Sequence, residues 1–317
     1  MSSSSQTTSS MRFSVDSWDP SYGTSTDLDP AGVSSAEVAI EVECSAEQWS
    51  ARDVDPAMAA TEVAFVDGVR RVDARVWIEH DGAVEGGICA SYAAGAIRCD
   101  GQAQFDVVEV DHGVFSASPA TTSIETTAGT FGVRKASAST PEVLSLALQE
   151  RMTELEVTVA EHAAALADLV VIDGPLKGRG HLPPAVGFVK THHVAYLPPE
   201  LHRMVGSLRA GQRTPLFIIG APWSRHSWYL RLPGEASSPW AGVVRCECSA
   251  NLDTAAAVAL ADRVSATLPR FASEAHKDAR APQNLYPIGA LERELRRRLG
   301  DQKLVYRALR IAAARKD

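Results

Sequence analysis

Residues 166–175 read LADLVVIDGP. Four apolar residues, Leu169 to Ile172, run without a polar interruption into Asp173. A short apolar run closed by Gly-Pro is the pattern of a strand covered on both faces. The segment ahead of it, PEVLSLALQERMTELEVTVAEHAAALADL from Pro141, contains no Gly and no second Pro. Leu144, Leu148, Leu155, Val159 and Leu166 fall on one helical face, which predicts a long helix with Thr140 as N-cap and Pro141 in its first turn. A long helix therefore feeds an inner strand, and that strand ends on a carboxylate. Burial makes such a carboxylate costly unless a cation or a metal compensates it.

The same ending occurs about a hundred residues earlier, where VAFVDGV covers 63–69. Here Asp67-Gly68 has two readings. One is the turn of a hairpin over 61–78, because Asp-Gly between apolar runs is a strong hairpin signal. The other is a second acid at a strand end, sharing one metal site with Asp173. On either reading, Val72, Ala74, Val76 and Ile78 alternate with polar or aromatic neighbours, as in a half-buried strand. Further strands are predicted at Val84–Tyr92 and near Phe105–Phe115, so the chain opens as an antiparallel meander. After the inner strand come strands at Ala185–Lys190, Pro215–Gly220, Ser227–Leu232 and Ala241–Cys248, and helices at 253–267, 288–299 and 302–315. Meander, helix, inner strand, then mixed elements is the order of a ribonuclease-H-like domain. The fold class expected is α/β, a ribonuclease-H-like (Piwi-like) mixed sheet flanked by helices.

The totals suit that reading. The chain has 317 residues, 45% hydrophobic and 22% charged, with a net charge of −8. Residues 1–35, rich in Ser, Thr, Asp, Pro and Gly, read as a flexible arm, and 36–317 as the main domain. Within the arm, WDPSYG (18–23) is expected to dock on its own domain. The five cysteines form no CxxC pair, which argues against a disulfide framework and for a reducing compartment. The opening MSSSSQTTSSMRF has no apolar core and no run is long enough to span a bilayer, so a cytoplasmic location without membrane attachment is expected. No Walker lysine loop or dinucleotide fingerprint occurs. Net acidity argues against a basic DNA-coating protein, yet Arg293–Lys316 holds nine Arg/Lys against Glu294 and Asp301.

Two strand-end aspartates suit phosphodiester hydrolysis. Mg²⁺ and Mn²⁺ prefer carboxylate oxygens, and a pair of ions can activate water and stabilise the leaving oxygen. A third acid is expected from the long helix, with Glu150, Glu154, Glu156 and Glu161 as candidates. His192-His193 is a poor ligand pair, since adjacent strand residues point to opposite faces. Cys246 and Cys248 share a strand face and are expected in the core. Lys177 with Gly178–Gly180 reads as a surface loop.

Taken together, VAFVDGVRR, ERMTELEVTVAEHAAALADLVVIDGPL, GFVK, WYLRL and NLYPIGALERELRRRLGD resemble the NurA nuclease family over most of residues 60–312. The resemblance implies a ribonuclease-H-like homodimer that cuts DNA with Mn²⁺ or Mg²⁺, two ions in all. It also implies a HerA-like hexameric ATPase partner in DNA end processing or phage defence. By position, Asp67, Glu154 and Asp173 match the metal ligands, with Glu150 and Glu156 as alternatives for the second. Tyr286 matches the family's site tyrosine and Lys190 a lysine facing phosphate. Glu294 stands near the position where the family carries a histidine. Glutamate cannot act as a neutral imidazole base. This departure favours a second reading, a nonenzymatic adaptor that docks DNA or the ATPase. Arg296, Arg297 and Arg298 spread over roughly 200° of helix, too wide to share the core face of Leu291, Leu295 and Leu299. They are expected to contact DNA phosphates.

Overall fold

The computed structural model describes residues 32–33, 36–80, 83–176, 185–192, 194–220, 223–234 and 238–314. Most of the N-terminal arm, WDPSYG, Lys177, Gly178–Gly180 and His193 lie outside the described residues.

The chain begins with short strands β1 (Gly32–Val33) and β2 (Val38–Ala39). The meander follows as β3 (Val63–His80), β4 (Ala83–Cys99) and β5 (Ala103–Ser116), then β6 (Ile124–Thr126) and β7 (Gly129–Lys135). The long helix is α1 (Pro141–Ala164), and the inner strand is β8 (Leu169–Asp173). After them come β9 (Ala185–Val189), β10 (Val194–Ala195), α2 (Pro199–Gly206), β11 (Phe217–Ile219), β12 (Arg225–Arg231) and β13 (Val243–Ser249). Helices α3 (Thr254–Thr267), α4 (Tyr286–Arg298) and α5 (Gln302–Ala314) close the chain. Among the described residues one sheet runs in the order β2-β11-β12-β13-β9-β8-β3-β4-β5-β7-β6. Its centre, β5-β4-β3-β8-β9, is antiparallel through the meander and parallel from β3 to β8 to β9. The expected mixed α/β sheet flanked by helices is thus present. No helix among the described residues is long and apolar enough to cross a membrane.

The hairpin reading of Asp67-Gly68 is overturned. β3 is a single strand of 18 residues, paired to β4 from Val63↔Cys99 to His80↔Ala83. A turn at Asp67 would need 61–66 and 72–78 to face each other. Both instead pair with one long partner, and that continuous ladder overrides the local turn preference. The ladder slips once, between Val72 and Ala74, and bulges Asp73 inward. Arg71 donates to Asp73 Oδ1 at 2.7 Å and caps the end of α4 through the carbonyls of Leu299 and Gly300 at 3.0 and 2.7 Å. Asp73 also accepts from Ser91, whose hydroxyl meets His112 Nδ1 at 2.7 Å.

Strand alternation sends side chains to two cores. Ala64, Val66, Val170 and Ile172 pack under α1 with Val159, Ala160 and Ala163. Phe65, Val171, Phe188, Trp228, Cys246 and Cys248 pack with α3 and with Leu291, Leu295 and Leu299 of the α4 segment. Each fully buried leucine of that stripe contributes roughly 2 kcal/mol. Thr140 caps α1 by accepting from Val143 N. The helix stops at Ala164, so Leu166 lies beyond it and is exposed. It sits in the connection into β8. Gly300, at φ +73°, and Asp301, which accepts from the amides of Lys303 and Leu304, divide α4 from α5.

Candidate active site

The parallel ladder between β3 and β8 ends at Val66↔Ile172. Asp67 and Asp173 are the next residues on their strands. In register and about 4.8 Å apart across the sheet, they project to the same side. Asp67 is therefore not at the end of its strand; it is at the end of that strand's pairing with β8. Asp173 is the last residue of β8. Gly174 turns the chain away at φ +87°, a conformation that favours glycine, and donates to Phe188 O at 2.8 Å. Leu176 N then donates to the buried Glu247 carboxylate, which Arg225 and Arg245 neutralise. The site thus lies at the carboxyl ends of parallel strands, where open α/β sheets place ligands.

Asp67 is only 8% exposed, and its Oδ1 accepts from Gly68 N at 2.8 Å. Burial first, and the charge of Asp173 second, push its carboxyl well above the usual range. Lys190 opposes this, while Glu156 and Glu292 add to it. Lys190, at the end of β9, donates to Asp173 Oδ2 at 2.7 Å and to Asn284 Oδ1 at 3.2 Å. Burial alone would lower its pKa. The fields of Asp173, Asp67 and Glu292 outweigh burial and raise it. Asp173 Oδ1 is buried and has no hydrogen-bond partner.

The helix glutamate nearest the aspartates is Glu156. It is 3% exposed and lies against the backbone of Gly68, where an added Cβ would stand 2.5 Å from Glu156 Oε1. Glycine at 68 is what lets this carboxylate reach the strand. Glu154 lies at the rim of the same cleft, but its side chain is 61% exposed and pairs with Arg151 at 2.5 Å. Glu150 also lines the rim. A cleft of about 940 Å³ opens over the acids between α1 and α4, with Arg70, Gln149, Thr191, Glu292 and Arg296 around it. Arg70 is held by Ser145.

Other sequence candidates lie elsewhere. Tyr286 begins α4 and lines a separate groove with Phe271 and Ile97. Lys277 lies 5.3 Å from its ring. Glu294 is turned away from the cleft and pairs with Arg297 and Arg298 at 2.6 and 2.7 Å, which hold its carboxyl down to about 2. On the other face of α4, Glu292 reaches the cleft and pairs with Arg280 and Arg296 at 2.8 and 2.9 Å. Of the three consecutive arginines, Arg296 alone lines the cleft; all three are exposed. His192 Nε2 donates to Val243 O, 2.9 Å away, among Tyr229 and Trp240. Glu156 was among the sequence candidates as an alternative to Glu154; Asn284 and Glu292 escaped the sequence reading. A helical spacing of four between Glu292 and Arg296 was the available signal for the last.

Among the described residues no three His, Cys, Asp or Glu side chains form a ready-made metal group. The donor set nevertheless fits a hard divalent cation. It is all carboxylate oxygen. It holds one buried oxygen without a donor and a buried acid whose charge its acidic neighbours disfavour.

Comparison with solved structures finds the NurA nuclease from Sulfolobus solfataricus at a TM-score of 0.50. The identity is 11%, over 86% of this chain and 90% of that one. The likeness shows the fold. Endonuclease V from Bacillus subtilis is also similar, at a TM-score of 0.32 and 15% identity over 77% of this chain and 82% of that one; a match this loose carries no argument. No protein-family model matches the chain, and no curated protein matches it.

Proposed function

We propose that this protein is a divalent-metal-dependent deoxyribonuclease of the NurA kind. The observation that carries the reading is the acidic pair of buried Asp67 and part-buried Asp173, joined by buried Glu156, at the floor of a cleft of about 940 Å³. The fold shared with the Sulfolobus solfataricus nuclease supports it. Asp67, Asp173 and Glu156 would hold Mn²⁺ or Mg²⁺, as a pair of ions, with Glu154 and Glu150 at the rim. A bound ion supplies stabilisation of charge developing on phosphate and eases loss of a proton from water. Arg70 and Arg296 orient the backbone by hydrogen bonds to phosphate oxygens. Arg297 and Arg298 extend that basic track. Tyr286 and Glu294 have no part in the step on this reading.

The test is digestion of labelled linear DNA in Mn²⁺, with and without Asp173→Ala. Digestion by the parent protein, its loss in the variant and its loss in EDTA are expected. DNA cleavage that persists in the variant or in excess EDTA would refute the reading. A homodimer and a HerA-like hexameric ATPase partner, implied by the sequence resemblance, belong to the same proposal. Sedimentation and co-purification with a HerA-like ATPase test them.

A second reading, the nonenzymatic adaptor, is favoured by one observation, the ammonium of Lys190 seated on Asp173. It predicts DNA binding without cleavage at any metal concentration.

A further inference from the structure

Lys190 brings a positive charge into the acid cluster on a tether. Its ammonium takes Asp173 Oδ2 at 2.7 Å and leaves Oδ1 bare. Its second acceptor is Asn284 Oδ1 at 3.2 Å. Asn284 is fully buried. Its amide nitrogen donates to Asp278 Oδ2 at 2.6 Å, so the amide oxygen is fixed toward Lys190. Asp278 is itself held by Arg280, which pairs with Glu292. The ammonium therefore already touches, at the longer distance, a fixed acceptor that can keep it when Asp173 is given up.

We propose that Lys190 is a tethered counter-ion that occupies Asp173 while the site is metal-free, and that uptake of a divalent cation transfers its ammonium from Asp173 onto Asn284. This inference rests on the metal-site reading above. Only charge positions change in the transfer; no bond forms or breaks. An ammonium on Oδ2 and a divalent cation on Oδ1 of one carboxylate repel each other, so each weakens the other's hold by the same factor. Two opposite consequences follow. Removing the ammonium tightens metal binding, although it strips the buried acids of their compensating charge. Removing the Asn284 acceptor loosens metal binding, because the displaced ammonium has nowhere to go. A purely structural role for either residue would loosen binding in both cases.

The experiment is calorimetric titration of the full chain with MnCl₂, beside thermal melts in EDTA, for the parent protein, Lys190→Met, Asn284→Leu and Asp173→Asn. Lys190→Gln serves as a second variant that keeps polarity if Lys190→Met does not fold. The expected result is a lower melting temperature in EDTA for the Lys190 variants, with Mn²⁺ affinity raised about tenfold. Asn284→Leu should lower the affinity by a similar factor. Unchanged or weaker Mn²⁺ binding in both Lys190 variants, with Asp173-dependent uptake intact in the parent, overturns the counter-ion inference alone. Lack of any Asp173-dependent uptake in the parent overturns the metal-site reading together with it.

Discussion

At the scale of single residues, the site depends on what Gly68 lacks. A Cβ there would meet Glu156 Oε1 at 2.5 Å and its Cδ at 2.9 Å. Glu156 is packed against the strand at the wall of the cleft, so a retreat from that Cβ carries its carboxylate away from Gly68. Gly68→Ala is expected to displace that carboxylate and lower cleavage about 100-fold, with the fold retained by circular dichroism. Asp67 supplies a second prediction. Its folded-state pKa lies above its unfolded value. The stability that goes with its protonated form is complete below the unfolded value and is lost as pH rises through the folded one. Metal-free protein should therefore lose stability as pH rises from about 4 through the raised folded-state value. Asp67→Asn should remove that loss and raise the melting temperature at pH 7 in EDTA by about 2–4 °C. A variant that melts lower than the parent at pH 7, or follows the same pH profile, would contradict the assignment.

At the scale of elements, α4 is a wall with two faces of charge. Glu292 and Arg296 look into the cleft, while Glu294, Arg297 and Arg298 pair with one another outside it. If the cleft holds DNA, Arg296→Glu should weaken binding and reduce the slope of log affinity against log salt by about 0.7–0.9. Arg297→Glu with Arg298→Glu should have a smaller effect. Equal effects from both faces, measured by salt titration of fluorescence anisotropy, would place the DNA along the outer surface instead. The same helix shows what the sequence could disclose. Leu291, Leu295 and Leu299 announced the buried face, because apolar spacing is a strong periodic signal. Which acid faces the cleft was not legible, since residues 292 and 294 lie about 200° apart round the helix and only the packing decides. Glu154 and Glu156 pose the same problem on α1. The inner strand was legible at once, because a strand buried on both faces has no polar alternation to blur it. Asp67 in mid-strand was not, since Asp-Gly is locally a turn signal and its eighteen-residue ladder is a long-range event.

At the scale of the whole molecule, a buried cation ties the N-terminal segment to the sheet. Arg213, 2% exposed, pairs with Glu43 at 2.8 Å and Asp262 at 2.6 Å. Burial pushes the Glu43 carboxyl up. Arg213's hydrogen bonds and charge, the Leu216 amide and Arg52 outweigh this and hold it below its ordinary value. A lowered folded-state pKa means that this stability is present above the unfolded value of about 4.5 and is lost as pH falls through the folded one. Glu43→Gln is expected to cost about 2 kcal/mol at pH 7, less as pH drops below 4, with urea melts at both pH values as the measurement. A constant difference at both would show that the charge of Glu43 contributes nothing.

The parallel pairing of β3 with β8 also sets a clock. Asp67 leaves the ribosome 106 residues before Asp173, an interval of roughly 5–20 s of synthesis. Lys190 follows soon after, but Asn284 and Glu292 emerge only near the end. A growing chain thus carries one acid of the pair for about a third of its synthesis and cannot assemble the acid pair during that interval. When Asp173 does appear, its lysine partner is only seventeen residues behind. If the chain is a nuclease, every copy that stops short of Asp173 is harmless to the nucleic acid around the site of its own translation.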